Sequence, residues 1–181
     1  MARLAQAVTE KHTQYDVLIN NAGVFKTAET RTQEGLDVRF AVNTLAPYLL
    51  TQKLLPLIGT AGRVINVSSA GQSTVDPDAL AGRVSLSDDF TAYAQSKLAL
   101  TMWSLSLALS LNGDGPAIIA VNPGSLLGTK IRVLTPLLSG ACSNSYAALL
   151  RLATQPKWGQ SQFTSSADPG GIGSDPIYFV T

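Results

Sequence analysis

The chain has 181 residues, of which 45% are hydrophobic and 14% are charged, and its formal net charge is +1. Such a chain can bury a sizeable core and favours one domain over residues 1–181. It lacks the strongly basic surface that nucleic acid or anionic lipid attracts, so we expect neither as a partner.

The sequence also favours a cytoplasmic protein. Its single cysteine, Cys142, cannot form an internal disulfide, which fits a reducing compartment. Residues 1–12 lack the continuous apolar core of a signal peptide. The richest apolar run, residues 98–111, is interrupted by threonine and serine, so it predicts a buried helix and no membrane span.

In chain order, the first part of the sequence predicts a helix, a strand and a longer helix. Apolar spacing favours an amphipathic helix over residues 2–13. Residues 16–19 form a nearly unbroken apolar run, which is typical of a parallel strand covered on both faces. An Asn-Asn-Ala-Gly turn follows at residues 20–23. Residues 29–58 carry apolar side chains at helical spacing and predict a long helical region that contains Asn43.

Pro47 predicts a local irregularity inside this helical region. A proline interrupts helical bonding and frees the carbonyl oxygen four residues earlier. That carbonyl belongs to Asn43. An asparagine in an apolar helix also has a plain structural explanation, as a polar residue that bonds a neighbouring segment. Both interpretations stay open.

The second part of the sequence predicts two more strands with a long helix between them. Residues 62–67 form a strand that ends in two adjacent serines. Residues 71–89 are rich in Ser, Asp and Gly and predict a loop with one short turn. A helix then covers residues 90–111, where Gly and Pro end it, and residues 117–121 form the third strand.

Tyr93 and Lys97 stand near the start of that long helix. Because they are four residues apart, they lie on one helical face, where the ammonium can act on the phenol. A free tyrosine has a pKa of about 10, and a nearby cation favours the phenolate and lowers that pKa. The pair predicts acid-base chemistry, although the same spacing occurs in helices where both residues are simply half-exposed.

Polar clusters follow all three predicted strands, at the sheet edge where open α/β sheets bind ligands. They are the turn at residues 20–23, the serines after residue 67, and the Asn-Pro-Gly-Ser segment at residues 122–125. Together with Asn43 and the spacing of Tyr93 and Lys97, their order resembles the short-chain dehydrogenase/reductase family. The resemblance implies a Rossmann-like α/β fold with a doubly wound parallel sheet.

The resemblance covers roughly residues 1–135 and implies an NAD(P)-dependent oxidoreductase. The implied cofactor is NAD or NADP, the implied partner is a small-molecule carbonyl or alcohol substrate, and no metal is implied. In this family the helix at residues 90–111 often forms a dimer face, so the resemblance allows a homo-oligomer; a helix that faces the core explains the same pattern of serines. The implied catalytic residues are Asn43, Ser69, Tyr93 and Lys97. The implied cofactor-binding residues are Asn20, Asn21, Ala22, Gly23, Tyr93, Lys97, Pro123 and Gly124.

The resemblance also assigns roles. Tyr93 gives or takes the hydroxyl proton, while Lys97 lowers the pKa of Tyr93 and bonds the ribose. Ser69 orients the substrate oxygen, and the backbone carbonyl of Asn43 holds a water that links the lysine to solvent. The turn at residues 20–23 contacts the adenosine side of the cofactor and braces the sheet. The nicotinamide lies at the Pro-Gly segment.

The sequence departs from the family pattern in two places. Residues 71–89 make the link between serine and tyrosine unusually long, as in the retinol-dehydrogenase-like branch; the alternative is that this segment covers a sheet edge. The family's first three strands and glycine-rich phosphate turn have no counterpart. We therefore expect an incomplete, N-terminally truncated domain, with its catalytic half at residues 16–130 and an exposed edge at residues 16–19.

This truncation supports a second hypothesis, in which the chain is a non-catalytic remnant or a self-associating module without cofactor binding. The remaining segment, residues 131–181, is weakly patterned. Residues 143–154 predict a helix and residues 177–180 a strand. The glycine-rich stretch at residues 170–173 neither follows a strand nor opens a helix, so it predicts a loop and no phosphate site.

Overall fold

The computed structural model describes residues 1–123. Gly124 and the helix, loop and strand predicted at residues 143–154, 170–173 and 177–180 lie outside the described residues. The described helices are α1 (Ala2–Thr9), α2 (Val38–Phe40), α3 (Ala46–Leu54), α4 (Pro77–Leu80) and α5 (Asp89–Leu111), and the strands are β1 (Tyr15–Asn20), β2 (Ile58–Val67) and β3 (Ala117–Val121). A π-helical turn, Ala41–Leu45, joins α2 to α3, and a 3-10 turn, Leu55–Leu57, follows α3.

The three strands form one parallel sheet in the order β1, β2, β3. Leu18 pairs with Val64, and Val64 pairs with Ile118. The strands are rich in valine and isoleucine, whose branched side chains pack well on a pleated surface. The predicted parallel α/β sheet is therefore confirmed.

The sheet buries apolar side chains on both faces. Val64 and Ile118 point to the face on which helix α5 packs, and Leu107 of that helix contacts them. Ile65 and Val121 lie in a second buried cluster. Because successive residues of a strand point to opposite faces, Val64 and Ile65 serve different sides of the sheet.

The helical region predicted over residues 29–58 is shorter and less regular than expected. Residues 29–37 are not helical. Helix α2 begins only after Asp37, whose side chain accepts a hydrogen bond from the Arg39 N–H at 2.8 Å and caps the first turn. The irregularity predicted from Pro47 is present as the π-helical turn, which ends directly before α3.

Two other boundaries differ from the sequence prediction. Helix α1 ends at Thr9, before the predicted end of residues 2–13. Strand β2 begins earlier than predicted, at Ile58, and its register with β1 shifts near its start. Gly62 lies in this irregular part, where a Cβ would be 3.0 Å from the Asp16 carbonyl oxygen. The close approach of the two backbones favours glycine there.

Helix α5 carries the predicted acid-base pair and ends at Leu111, as predicted. Asp88 caps its first turn by accepting a hydrogen bond from the Thr91 N–H at 2.7 Å. Asn112 takes a left-handed conformation, with φ 47°, and ends the helix. No helix within residues 1–123 has the length and apolar character needed to cross a membrane.

The long segment at residues 71–89 is a loop that contains one short helix, α4, as predicted. Ala79 of α4 lies in a buried cluster with Phe40 of α2 and Ala99 of α5. Residues 71–89 thus pack against α2 and α5 through this cluster. That they cover a sheet edge stays a prediction. Their apolar side chains hold α5 against α2.

Candidate active site

Lys97 lies in the interior and reaches from α5 to the end of β2. The residue is 3% exposed, and its Nζ donates a hydrogen bond to the Val67 carbonyl oxygen at 2.7 Å. Removing an ammonium from water is unfavourable, so burial lowers the pKa of Lys97 to about 8. A buried lysine with a perturbed pKa marks a candidate functional site.

Tyr93 lies one turn before Lys97, and Lys97 Nζ is 5.7 Å from the centre of the Tyr93 ring. The phenol shares a hydrogen bond with the Ser69 hydroxyl. Burial raises the pKa of Tyr93 above its ordinary value, and the bond with Ser69 acts in the opposite direction. Desolvation of the phenolate dominates, so the net shift of this pKa is upward and not downward as expected. That the charge of Lys97 lowers the pKa of Tyr93 stays a prediction. Tyr93 is protonated at neutral pH and can donate a proton.

The two adjacent serines after β2 have different partners. Ser68 is buried, and its Oγ lies 2.8 Å from Thr101 Oγ1 and donates to the Lys97 carbonyl oxygen at 3.2 Å. Ser69 faces Tyr93 and also accepts a hydrogen bond from the Gly71 N–H at 3.1 Å. Ser68 thus attaches β2 to α5, whereas Ser69 is the serine that neighbours the phenol.

Asn43 lies in the π-helical turn, and its side chain is buried. Its Nδ2 donates to the Val24 carbonyl oxygen and to Ser96 Oγ, each at 2.9 Å, while its Oδ1 accepts from the Val24 N–H at 2.8 Å. Ser96 Oγ in turn donates to the Tyr93 carbonyl oxygen at 2.7 Å. Asn43 therefore connects the segment after β1 to the turn of α5 between Tyr93 and Lys97.

Asn20, at the end of β1, points into the protein. Its Nδ2 donates to Asn66 Oδ1 at 2.7 Å and to Thr51 Oγ1 at 3.0 Å. Asn66 Nδ2 continues the row by donating to Ser104 Oγ at 2.8 Å. These polar side chains connect α3, β1, β2 and α5 beneath the sheet edge. Asn20 thus braces the sheet.

The other predicted cofactor residues lie at the same edge. Asn21 and Ala22 are exposed after β1, and Gly23 is partly buried. Pro123 follows β3 and is partly buried. Because the three strands are parallel, their carboxyl ends meet at the edge that Lys97 reaches through Val67. Gly124 lies outside the described residues.

Sequence reasoning missed two polar residues that organise this site. Ser96 stands directly before Lys97 and receives the bond from Asn43. Arg39 is 1% exposed and bonds Asp37 and Asp89. The available signals were a small polar residue on an apolar helix and an arginine two residues after a capping aspartate. Within residues 1–123, no cluster of His, Cys, Asp and Glu is suited to hold a metal ion.

Comparison with known proteins assigns the chain to a family. The model of the short chain dehydrogenase family matches residues 1–135. The chain belongs to this family. Its fold agrees, since the NADPH-bound carbonyl reductase from chicken fatty liver superposes with a TM-score of 0.60 at 26% identity, over 85% of this chain and 65% of that one. A metagenomic short-chain oxidoreductase in complex with NADP superposes with a TM-score of 0.55 at 30% identity, over 85% of this chain and 62% of that one. The predicted Rossmann-like α/β fold is confirmed.

Relatives in the family have several names. The dehydrogenase/reductase SDR family member FEY of Arabidopsis thaliana is 35% identical over 180 residues, which are 93% of this chain and 46% of the relative. Retinol dehydrogenase 13 of Homo sapiens is 35% identical over 66% of this chain and 38% of its own length. Polyprenol dehydrogenase of Danio rerio is 36% identical over 81% of this chain and 46% of its own length. The chain spans less than half the length of these relatives.

Proposed function

We propose that this chain carries the catalytic end of an NAD(P)-dependent oxidoreductase that interconverts a carbonyl and an alcohol. The observation that carries the proposal is the joint placement of three groups at the end of β2. Tyr93 bonds Ser69, and the buried Lys97 ammonium lies within 5.7 Å of the Tyr93 ring. Proton transfer to a carbonyl oxygen needs a proton donor, and the protonated phenol supplies it. The Ser69 hydroxyl can bond the same oxygen, and the nearby Lys97 cation favours the phenolate that remains.

The residues at this edge fit the nicotinamide end of the cofactor. Lys97 has three N–H donors, and the bond to Val67 uses one of them, so the others can reach ribose hydroxyls. Pro123 presents a ring without an N–H at the end of β3, where a flat group can lie against the backbone. Asn21 and Ala22 are exposed beside them. A bound NAD(P)H would supply the hydride for the carbonyl carbon.

In the proposed reduction, Ser69 donates a hydrogen bond to the substrate oxygen and orients it toward Tyr93. Tyr93 donates its phenolic proton to that oxygen as the hydride arrives at carbon, so the carbonyl becomes a hydroxyl. Lys97 stabilises the phenolate that remains, which offsets the burial that raises the pKa of Tyr93. In the oxidation direction Tyr93 takes the proton back. Asn43 holds the turn of α5 that presents both residues.

Membership of the family favours this proposal over a non-catalytic, self-associating module. The site geometry adds a physical argument. Burying Lys97 costs free energy, and a module that needed only to fold could replace it with an apolar side chain at less cost. Retaining a buried cation beside a partly buried phenol is what a proton-transfer site requires.

The test measures binding of NADH and NADPH to the chain by calorimetry and carbonyl reduction by nicotinamide absorbance. We expect cofactor binding, and we expect Tyr93→Phe to lower kcat by about 10² to 10⁴ with binding retained. Tyr48→Phe is the control, because Tyr48 is 38% exposed on α3 and packs on Trp103, away from this site. Full activity in Tyr93→Phe, or no cofactor binding by the wild-type chain, would overturn the proposal.

A further inference from the structure

A row of three aromatic rings lies beside the Ser69 and Tyr93 hydroxyls. Phe25 meets the Tyr93 ring edge-on, with ring centres 5.1 Å apart and an angle of 72°. It also meets the Phe90 ring edge-on, with centres 6.5 Å apart and an angle of 86°. Such edge-to-face geometry is a favourable arrangement of aromatic rings. Phe25 therefore fixes the position of Phe90 relative to the phenol.

The helix places Phe90 on the active-site side. Phe90 is three residues before Tyr93 in α5, and residues three apart share a helical face. Although it is a large apolar side chain, Phe90 is 56% exposed. Phe25 is already covered on part of its surface by Tyr93 and by Lys26, whose Nζ lies 5.9 Å from the ring centre. The exposed ring surface next to the site thus belongs mainly to Phe90.

Gly71 leaves space between this ring and the reacting hydroxyls. A Cβ at Gly71 would lie 3.5 Å from the Phe90 ring and 3.6 Å from Ser69 Oγ. These are ordinary contact distances, so an atom at this position would contact both the aromatic ring and the serine hydroxyl. An apolar group attached to a carbonyl bonded by Ser69 would reach Phe90 from there.

We propose that Phe90, held by Phe25, is a specificity-determining residue that contacts the apolar body of the substrate beside its carbonyl. The substrate class is a ketone, aldehyde or alcohol whose reacting carbon carries a flat, apolar, unsaturated or aromatic group. A phenyl ring prefers such groups because stacking and edge contacts add to the removal of apolar surface from water. This inference rests on the proposed function, since it uses Ser69 and Tyr93 as the polar end of the site.

The test compares acetophenone with butanone, since both are methyl ketones and they differ in whether the second substituent is aromatic. Binding is measured by ligand-observed NMR and turnover by kcat/KM. We expect Phe90→Ala to lower both the affinity and the kcat/KM for acetophenone by about tenfold, and those for butanone by less than about twofold. Leu109→Ala is the matched control, because Leu109 is a 68% exposed apolar residue near the other end of α5. It should change neither ketone.

Two further variants keep the inference testable if Phe90→Ala folds poorly. Phe90→Leu keeps an apolar side chain without the ring and should still reduce the preference for acetophenone. Gly71→Ala should also selectively weaken the binding and turnover of acetophenone, because its methyl group fills the space between Phe90 and Ser69. Equal losses for both ketones, unchanged selectivity, or no acetophenone binding by the wild-type chain would overturn the inference.

The binding readout separates this inference from the proposed function. If the wild type binds acetophenone through Phe90 but shows no Tyr93-dependent turnover, the aromatic contact stands and the proposed chemistry fails. If Tyr93→Phe abolishes turnover while Phe90→Ala leaves selectivity unchanged, the chemistry stands and the aromatic contact is overturned.

Discussion

The buried guanidinium of Arg39 lies 2.6 Å from a carboxylate oxygen of Asp89, the first residue of helix α5. Its Nε and Nη2 also bond both carboxylate oxygens of Asp37, at 2.7 and 2.6 Å. Asp37 caps α2, and α5 carries Tyr93 and Lys97. The ion-pair group therefore fixes the start of the helix that presents the candidate site.

Breaking this group should destabilise the fold. Arg39→Met removes the cation and leaves Asp37, which is 6% exposed, as a buried charge without its partner. We expect a loss of about 3 to 5 kcal/mol in the free energy of unfolding, measured by urea denaturation. Arg83→Met is the control, because Arg83 pairs with Asp78 at the surface, with side chains 73% and 57% exposed. Similar losses in the two variants would show that burial adds nothing to the Arg39 group.

Burial of Lys97 should make stability depend on pH. The pKa of Lys97 is about 8 in the folded chain and 10.5 ordinarily. Between these values the unfolded state holds more protons, so stability rises with pH. Relative to Lys97→Met, the free energy of unfolding of the wild type should rise by about 2 kcal/mol from about pH 7 to about pH 9.5.

This pH window is free of interference from Tyr93. Burial raises the pKa of Tyr93, so the phenol stays protonated in the folded state over the whole range. Urea denaturation of both chains at several pH values gives the two curves. Parallel curves would mean that the ammonium of Lys97 is not desolvated and would contradict the lowered pKa.

The sequence alone predicts the strands and the acid-base pair because their signals are local. Valine and isoleucine runs predict the strands that end at Asn20, Val67 and Val121, and a four-residue spacing places Tyr93 and Lys97 on one face of a helix. These features need no knowledge of tertiary packing.

The partners of these residues could not be predicted, because they come from distant parts of the chain. The bond of Lys97 to Val67 and the pairing of Arg39 with Asp89 depend on how α5 packs on β2 and α2. The pKa of Tyr93 was predicted in the wrong direction for the same reason. Spacing reveals a neighbouring charge, but only packing reveals the desolvation that raises this pKa.

Ser68 and Ser69 should separate stability from activity. Ser69→Ala removes the hydroxyl that bonds Tyr93, and we expect kcat/KM to fall by about a hundredfold with the fold retained. Ser68→Ala removes the bond to Thr101 and should cost about 1 kcal/mol of stability with little change in kcat/KM. Paired thermal denaturation and turnover measurements check both. Loss of activity in Ser68→Ala alone would mean that Ser68, and not Ser69, is the reacting serine.

The side chain of Asn43 should contribute more to the stability of the fold than the side chain of its neighbour Thr44. Asn43 makes three hydrogen bonds, to both backbone groups of Val24 and to Ser96, whereas Thr44 Oγ1 makes one, to the Ser96 carbonyl oxygen at 2.8 Å. Both residues are buried. Asn43→Asp keeps the shape of the side chain but replaces its two N–H donors with an acceptor.

The Val24 carbonyl oxygen and Ser96 would then face a carboxylate oxygen in place of a donor. We expect Asn43→Asp to lose about 3 kcal/mol in urea denaturation, and Thr44→Val to lose about 1 kcal/mol. Because Ser96 also bonds the Tyr93 carbonyl oxygen, the loss at Asn43 should extend to α5. Amide hydrogen exchange should accelerate in the first turns of α5 in Asn43→Asp and stay unchanged in Thr44→Val. Unchanged exchange in both variants would mean that Asn43 holds only the segment after β1 and leaves Tyr93 and Lys97 to be positioned by other contacts.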